Sequence, residues 1–118
     1  MMQEMINNFL DNKGIEDEFI RNIVSGFINR HTKLYGDVIP FEDLMGRLNN
    51  NLNSINLIDP NNIKNDPRYH NVVGTYEGFK KKCITMFFYS GTFKNPQLRE
   101  DFIAILLHEL THCAYTIK

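Results

Sequence analysis

The chain has 118 residues, 42 % of them hydrophobic, and a formal net charge of -1 from 13 basic and 14 acidic side chains. That length fits one small domain with a real core and excludes global disorder. The charge balance excludes the basic footprint of a nucleic-acid binder, and the one basic run, Lys80-Lys81-Lys82, reads as a solvated turn.

No basic start followed by an apolar run opens the sequence, and no stretch is long enough to span a bilayer. The expectation is a cytoplasmic protein with neither a membrane nor a nucleic-acid partner. The two cysteines, Cys83 and Cys113, are too few for a disulfide-stapled scaffold. Both are expected as buried reduced thiols, with a single bridge between them the open alternative.

Residues 3–10 carry Met5, Ile6, Phe9 and Leu10 at amphipathic helical spacing, and Gly14 breaks the pattern. A second helix is expected over about 16–35, with Phe19, Ile20, Ile23, Val24, Phe27 and Ile28 repeating every three or four residues. The acidic trio Glu16, Asp17 and Glu18 suits its first turn, and Gly36 its stop. Pro40 opens a third helical segment, with Phe41, Leu44, Met45, Leu48 and Leu52 in phase up to about Asn53. Residues 49–71 are rich in asparagine and marked by prolines. They read as a loop around one short apolar piece, 55–58.

The period then changes. Residues 72–79 look like a strand, and 83–89 are rich in β-formers and read as a second one, joined by a hairpin turn over 78–81. Both faces of the second strand are apolar, which asks for cover on two sides or a neighbouring ligand groove. Asn95-Pro96 is a helix start, a cap followed by proline at the first helical position, and the final helix runs from 96 to near the last residue.

That last helix carries His108-Glu109-Leu110-Thr111-His112. Positions four apart share a helix face, so two imidazoles project toward one point. Zinc accepts such nitrogens at about 2.0–2.1 Å, lowers the pKa of a bound water and polarises a scissile carbonyl. Glu109, next to the first histidine, borders that water as a general base that later protonates a leaving amine. The motif follows the apolar run Phe102-Ile103-Ala104-Ile105-Leu106-Leu107. Polar groups in such a setting cost stability unless they are partnered, and a metal resolves that cost.

At residues 105–112 the chain resembles the zincin metallopeptidases, in which apolar residues run into this motif. Among them it looks like the gluzincin-like bacterial peptidases of the ImmA/IrrE type. The resemblance covers roughly 72–118, the N-terminal part of such an enzyme, and implies a sheet followed by the active-site helix. It implies His108 and His112 as zinc ligands, Glu109 as the catalytic base, and a peptide or protein substrate. It also implies a sheet edge that binds extended peptide by β-pairing, a role that falls on 83–90.

The third zinc ligand departs from the family. The metzincin pattern needs glycine at 115 and histidine at 118, where this chain has Tyr115 and Lys118. The gluzincin pattern needs a carboxylate on a later helix, and none follows. Three completions stay open: the chain is a fragment of a longer enzyme, an upstream residue (His70, Glu77 or His31) supplies the ligand, or a second chain or water does. The chain's end inside a helix favours the first.

Other residues have plainer readings. Glu77 shapes the hairpin, Tyr89 is core, Asp101 is a helix-dipole partner or a residue orienting an imidazole, and Cys113 packs in the core.

The expected fold is α+β: N-terminal helices, a small mostly antiparallel sheet, then a zincin-like active-site helix. It forms one domain over 1–118, with a helical part at 1–54 and the sheet plus motif helix at 55–118. The expected function is zinc-dependent peptide-bond hydrolysis. The rival is a non-catalytic binding or inhibitor protein, of phage or mobile-element type, on a degenerate metallopeptidase fold.

Overall fold

A computed structural model describes residues 2–58, 72–88 and 94–116. The fold is α+β, with four helices and a three-stranded mixed sheet among the described residues. In chain order these are α1 (Met2–Asn12), α2 (Glu18–Tyr35), α3 (Phe41–Asn51), β1 (Ser54–Ile58), β2 (Val73–Glu77), β3 (Cys83–Phe87) and α4 (Pro96–Ala114).

The helices begin and end where local chemistry allows. In α1, Ile6, Phe9 and Leu10 are buried on one face. The helix closes with Gly14 at φ +69° and the Ile15 N–H bonded to the Leu10 carbonyl at 2.9 Å. This six-to-one closure needs the left-handed conformation that glycine adopts without a Cβ penalty. Asp17 caps α2 by accepting from the Ile20 N–H at 3.1 Å. Asn95 caps α4 by accepting from the N–H groups of Gln97 and Leu98, with Pro96 next in the chain.

The apolar piece at 55–58 is part of a strand, not of a loop. β1 pairs in parallel with β3, Ser54 opposite Cys83 and Ile58 opposite Phe87. β2 pairs antiparallel with β3, Val73 opposite Phe87 and Glu77 opposite Cys83. The strand order is β1-β3-β2, so the sheet has one antiparallel and one parallel pair. β3 is therefore central and paired on both sides. The peptide-binding edge expected over 83–90 is overturned for 83–87, because the backbone groups that would accept a peptide are already bonded to β1 and β2. Residues 89 and 90 lie outside the described residues.

The hairpin turn is held by Glu77. Its carboxylate accepts from the backbone N–H groups of Phe79, Lys80, Lys81 and Lys82, at 2.6 Å for Lys81. These bonds, those from Lys80 and Lys81 foremost, hold the carboxyl below its ordinary pKa.

Ile84 and Met86 of β3 are fully buried on the sheet face where α4 lies, and α4 packs on α2 and α3 as well. Phe102, Leu106 and Leu110 of α4 are fully buried in this core. Phe102 sits 5.9 Å, centroid to centroid, from both Phe19 of α2 and Phe88 beyond β3. Offset and edge contacts of this kind add to the area buried. Both cysteines are buried, and no bridge joins them in this structure.

Because the Phe102 ring joins three elements, Phe102→Ala is expected to lower the unfolding free energy by about 3–5 kcal/mol. Urea unfolding with an unchanged m-value is the measurement. A loss below about 1 kcal/mol would show that the core does not centre on this ring.

Candidate metal centre

The apolar residues of α4 fix which way its motif faces. Phe102, Leu106, Leu110 and Cys113 point into the core. His108 and His112 lie on the opposite, exposed side, while Glu109 between them in sequence is buried at 8 % exposure. At about 100° per residue, Ile105 and Glu109 fall on the flank that meets β2, and Ile103 and Leu107 on the flank that meets α2.

The imidazoles converge. The two Nε2 atoms are 2.9 Å apart, and the rings meet edge to face at a centroid distance of 4.5 Å. Ligand atoms of His108, Glu109 and His112 all lie within 4.8 Å of one another. A tetrahedral zinc with bonds of about 2.05 Å sets its nitrogens about 3.3 Å apart. The imidazole pair therefore fits such an ion after a shift of a few tenths of an ångström. Two neutral nitrogens and an adjacent carboxylate are a borderline-hard donor set of the kind zinc takes.

Glu109 owes its place to a glycine. A Cβ at Gly74 of β2 would stand 2.6 Å from Ile105 Cγ2, 2.8 Å from Met86 Sδ and 3.3 Å from Glu109 Cγ. The missing side chain lets α4 settle against the strand with the glutamate stem between them. Among the described residues, only His31 Nδ1 and Thr32 Oγ1 are sealed, unpartnered side-chain polar atoms. The Glu109 carboxylate, which no described group hydrogen-bonds, is therefore not sealed and meets the solvent side.

The C-terminal half of α4 is tied down by two side chains that sequence reading missed. Buried Asn51, at the end of α3, donates from Nδ2 to the Cys113 carbonyl at 3.0 Å. Tyr76 of β2 donates its hydroxyl to the Asn51 carbonyl at 2.7 Å. Neither had a local sequence signal, since both bonds join segments far apart in the chain.

Of the upstream candidates for a third ligand, the two described ones, Glu77 and His31, do not join the cluster. Glu77 is occupied in the hairpin turn, and His70 lies outside the described residues, as do Tyr89 and Lys118. His31 is buried in α2 among the rings of Phe27, Tyr35 and Tyr115, with its Nε2 2.6 Å from the Tyr115 hydroxyl. Tyr115 thus stands where the metzincin pattern has glycine and binds a histidine that lies off the cluster. Asp101 accepts from Gln97 Nε2 at 3.0 Å, which engages it within its own helix. Among the described residues, no other His, Cys, Asp or Glu completes the group.

Burial, and secondarily the charge of Arg47, hold the His31 pKa below its ordinary value. The unfolded chain then binds a proton that the folded chain resists. The His31 contribution to stability is full above about pH 6.5 and declines as pH falls from there toward the folded value. The urea-derived stability gap between the natural protein and His31→Gln is expected to narrow between pH 7.5 and 5.5, by at most about 1.4 kcal/mol per pH unit. A gap independent of pH would show that His31 does not titrate differently on folding.

Gly74→Ala is expected to destabilise by about 1–3 kcal/mol, because Ile105 and Met86 must move. Gly46→Ala, where a Cβ meets nothing within 4 Å in a helix interior, is expected to stabilise by up to about 1 kcal/mol. Urea midpoints of the two variants check both signs.

Compared with protein-family models, with curated proteins and with solved structures, the chain matches none.

Proposed function

We propose that this chain hydrolyses peptide bonds with the help of a zinc ion held by His108 and His112. The observation that carries the reading is the convergence of the two Nε2 atoms at 2.9 Å beside an open glutamate carboxylate. Zinc in this setting supplies a water of lowered pKa and an electrophile for the scissile carbonyl.

The chain's own residues do the rest. The imidazoles fix the position of the reaction from one rigid helix, a turn apart. Glu109 takes the proton of the attacking water and returns it to the leaving amine. Its stem, wedged over Gly74, limits the rotamers available to that carboxylate. A peptide or protein is the substrate class, and no helix of the described residues is long and apolar enough to cross a membrane.

A second reading is favoured by one observation: among the described residues, the cluster offers two imidazoles and Glu109 and no further ligand. A catalytic zinc takes three protein ligands and leaves one position open. On this reading the protein binds a partner without hydrolysing it, and the zinc is structural or absent.

Glu109→Gln is expected to keep zinc at the natural stoichiometry after dialysis while kcat/KM for peptide cleavage falls by about 10²- to 10⁴-fold. His108→Ala and His112→Ala are expected to lose the metal. Cleavage that survives in Glu109→Gln removes the glutamate from the mechanism. A natural protein that neither retains zinc nor cleaves peptides supports the binding-protein reading.

A further inference from the structure

The solvent side of α4 is short of charge. Ala104, His108, Thr111, His112 and Tyr115 are exposed on it. From Phe102 to Thr116 the one Asp, Glu, Lys or Arg is Glu109, and that residue is buried. A helix with one face in the core and the other in water keeps its charged residues on the wet face. Here the wet face carries only imidazoles and uncharged groups over about four turns. Scarcity of charge of this kind belongs to the centre of a protein–protein contact.

The surface next to the pair is apolar as well. Leu34 and Tyr35, at the end of α2, are 59 % and 53 % exposed, and with Tyr115 they line a groove between α2 and α4. Tyr115 also borders the cleft around His108 and His112. Exposed apolar side chains gathered at one place mark an interaction surface.

The metal says what that surface meets. A structural zinc in a protein takes four ligands. One helix here offers two converging imidazoles, half of a closed shell, and among the described residues the cluster adds only Glu109. A second copy of the chain brings an identical pair. A two-fold axis through the ion sets the two pairs against each other and makes the uncharged face of α4 meet its own copy. Ala104 and Thr111, the exposed neighbours of His108 on that face, are short and do not hold a second helix away.

We infer that two copies of this chain share one zinc ion through both of their His108–His112 pairs. What this means for regulation rests on the peptidase reading. A shell closed by four imidazoles has no position for water, so the shared form does not hydrolyse, and hydrolysis belongs to the form with one ion per chain. Chain in excess over zinc favours the shared form, and zinc in excess splits it.

The test titrates the metal-free natural protein with zinc. Sedimentation velocity reads the mass, calorimetry the stoichiometry and a fluorogenic peptide the cleavage. The mass is expected to double as zinc approaches one ion per two chains, and to fall back toward the monomer when zinc is in several-fold excess. Cleavage is expected to be lost at the first ratio and to appear at the second. His108→Ala and His112→Ala are expected to stay monomeric at every zinc level. Thr111→Arg keeps both imidazoles but sets a long cation against its own copy, and is expected to weaken dimerisation about tenfold or more. Circular dichroism confirms that the variants fold.

A monomer at every zinc level, binding one ion per chain, overturns the shared site, and cleavage by that monomer leaves the peptidase reading standing. A dimer that forms without zinc, or that survives in His112→Ala, overturns the shared site as well. Cleavage undiminished at one ion per two chains overturns the four-imidazole shell. A zinc-dependent dimer in a protein that cleaves nothing at any zinc level keeps the shared site and overturns the peptidase reading. Failure to bind zinc overturns both.

Discussion

The arrangement of the motif depends on how α4 is set about its own axis. A rotation of one residue's worth, about 100°, would bury the histidines and expose Leu106 and Leu110. Three contacts fix the setting. Phe102, Leu106 and Leu110 are fully buried on the core side. The helix comes down on β2 at Gly74, where no side chain holds it off. Asn51 grips the helix near its end through the Cys113 carbonyl, and Tyr76 grips Asn51. The apolar contacts set the face, and the hydrogen bonds, directional and buried, set the register along the axis.

Three buried polar residues make the same point from the cost side. Asn51, His31 and Glu109 are the buried polar or charged residues among those described. Asn51 spends its amide on the Cys113 carbonyl, and His31 is matched by the Tyr115 hydroxyl. Both therefore have structural reasons to be where they are, since a buried polar group is tolerated when bonded. Among the described residues, Glu109 has no such partner. Its methylenes occupy the gap over Gly74 and its carboxylate opens toward the histidines. Only its stem is covered, so the position costs little, and the carboxylate stays open beside the imidazole pair.

Much of the helical frame was legible in the residues because it is written locally. The three-and-four spacing of Ile20, Ile23, Val24, Phe27 and Ile28 places α2. The same phase continued by three residues reaches His31, so its burial in α2 follows from that spacing. The Asn95-Pro96 pair placed the start of α4, and Gly14 the end of α1. The sheet was only half legible. The hairpin of β2 and β3 joins neighbours in sequence, but β1 pairs in parallel with a strand 29 positions away, Ser54 with Cys83, and nothing local marks such a partner. Strand order went unread for the same reason, and with it the fact that β3 is central. Gly74 did carry a usable sign: a glycine inside a strand points to close approach by another element. Asn51 and Tyr76 carried none, because an asparagine in an asparagine-rich stretch and an aromatic in a strand both read as ordinary.

Strand order decides which backbone edges lie near α4. With β3 bonded on both sides, the edge strands among the described residues are β1 and β2, and β2 is the one that packs closely on α4. Ile105 and Glu109 look toward β2, whereas Ile103 and Leu107 line the groove against α2. The histidine pair therefore stands on a ridge between two unlike surfaces, backbone hydrogen-bonding groups on one flank and apolar side chains on the other. An extended polypeptide presents both kinds of surface at once, amides along its edge and side chains alternating to either face. A small hydrophilic ligand has no use for the groove, and a free apolar ligand has no use for the strand edge. A polypeptide, the substrate class of the proposed reading, is the ligand that would meet both flanks at once.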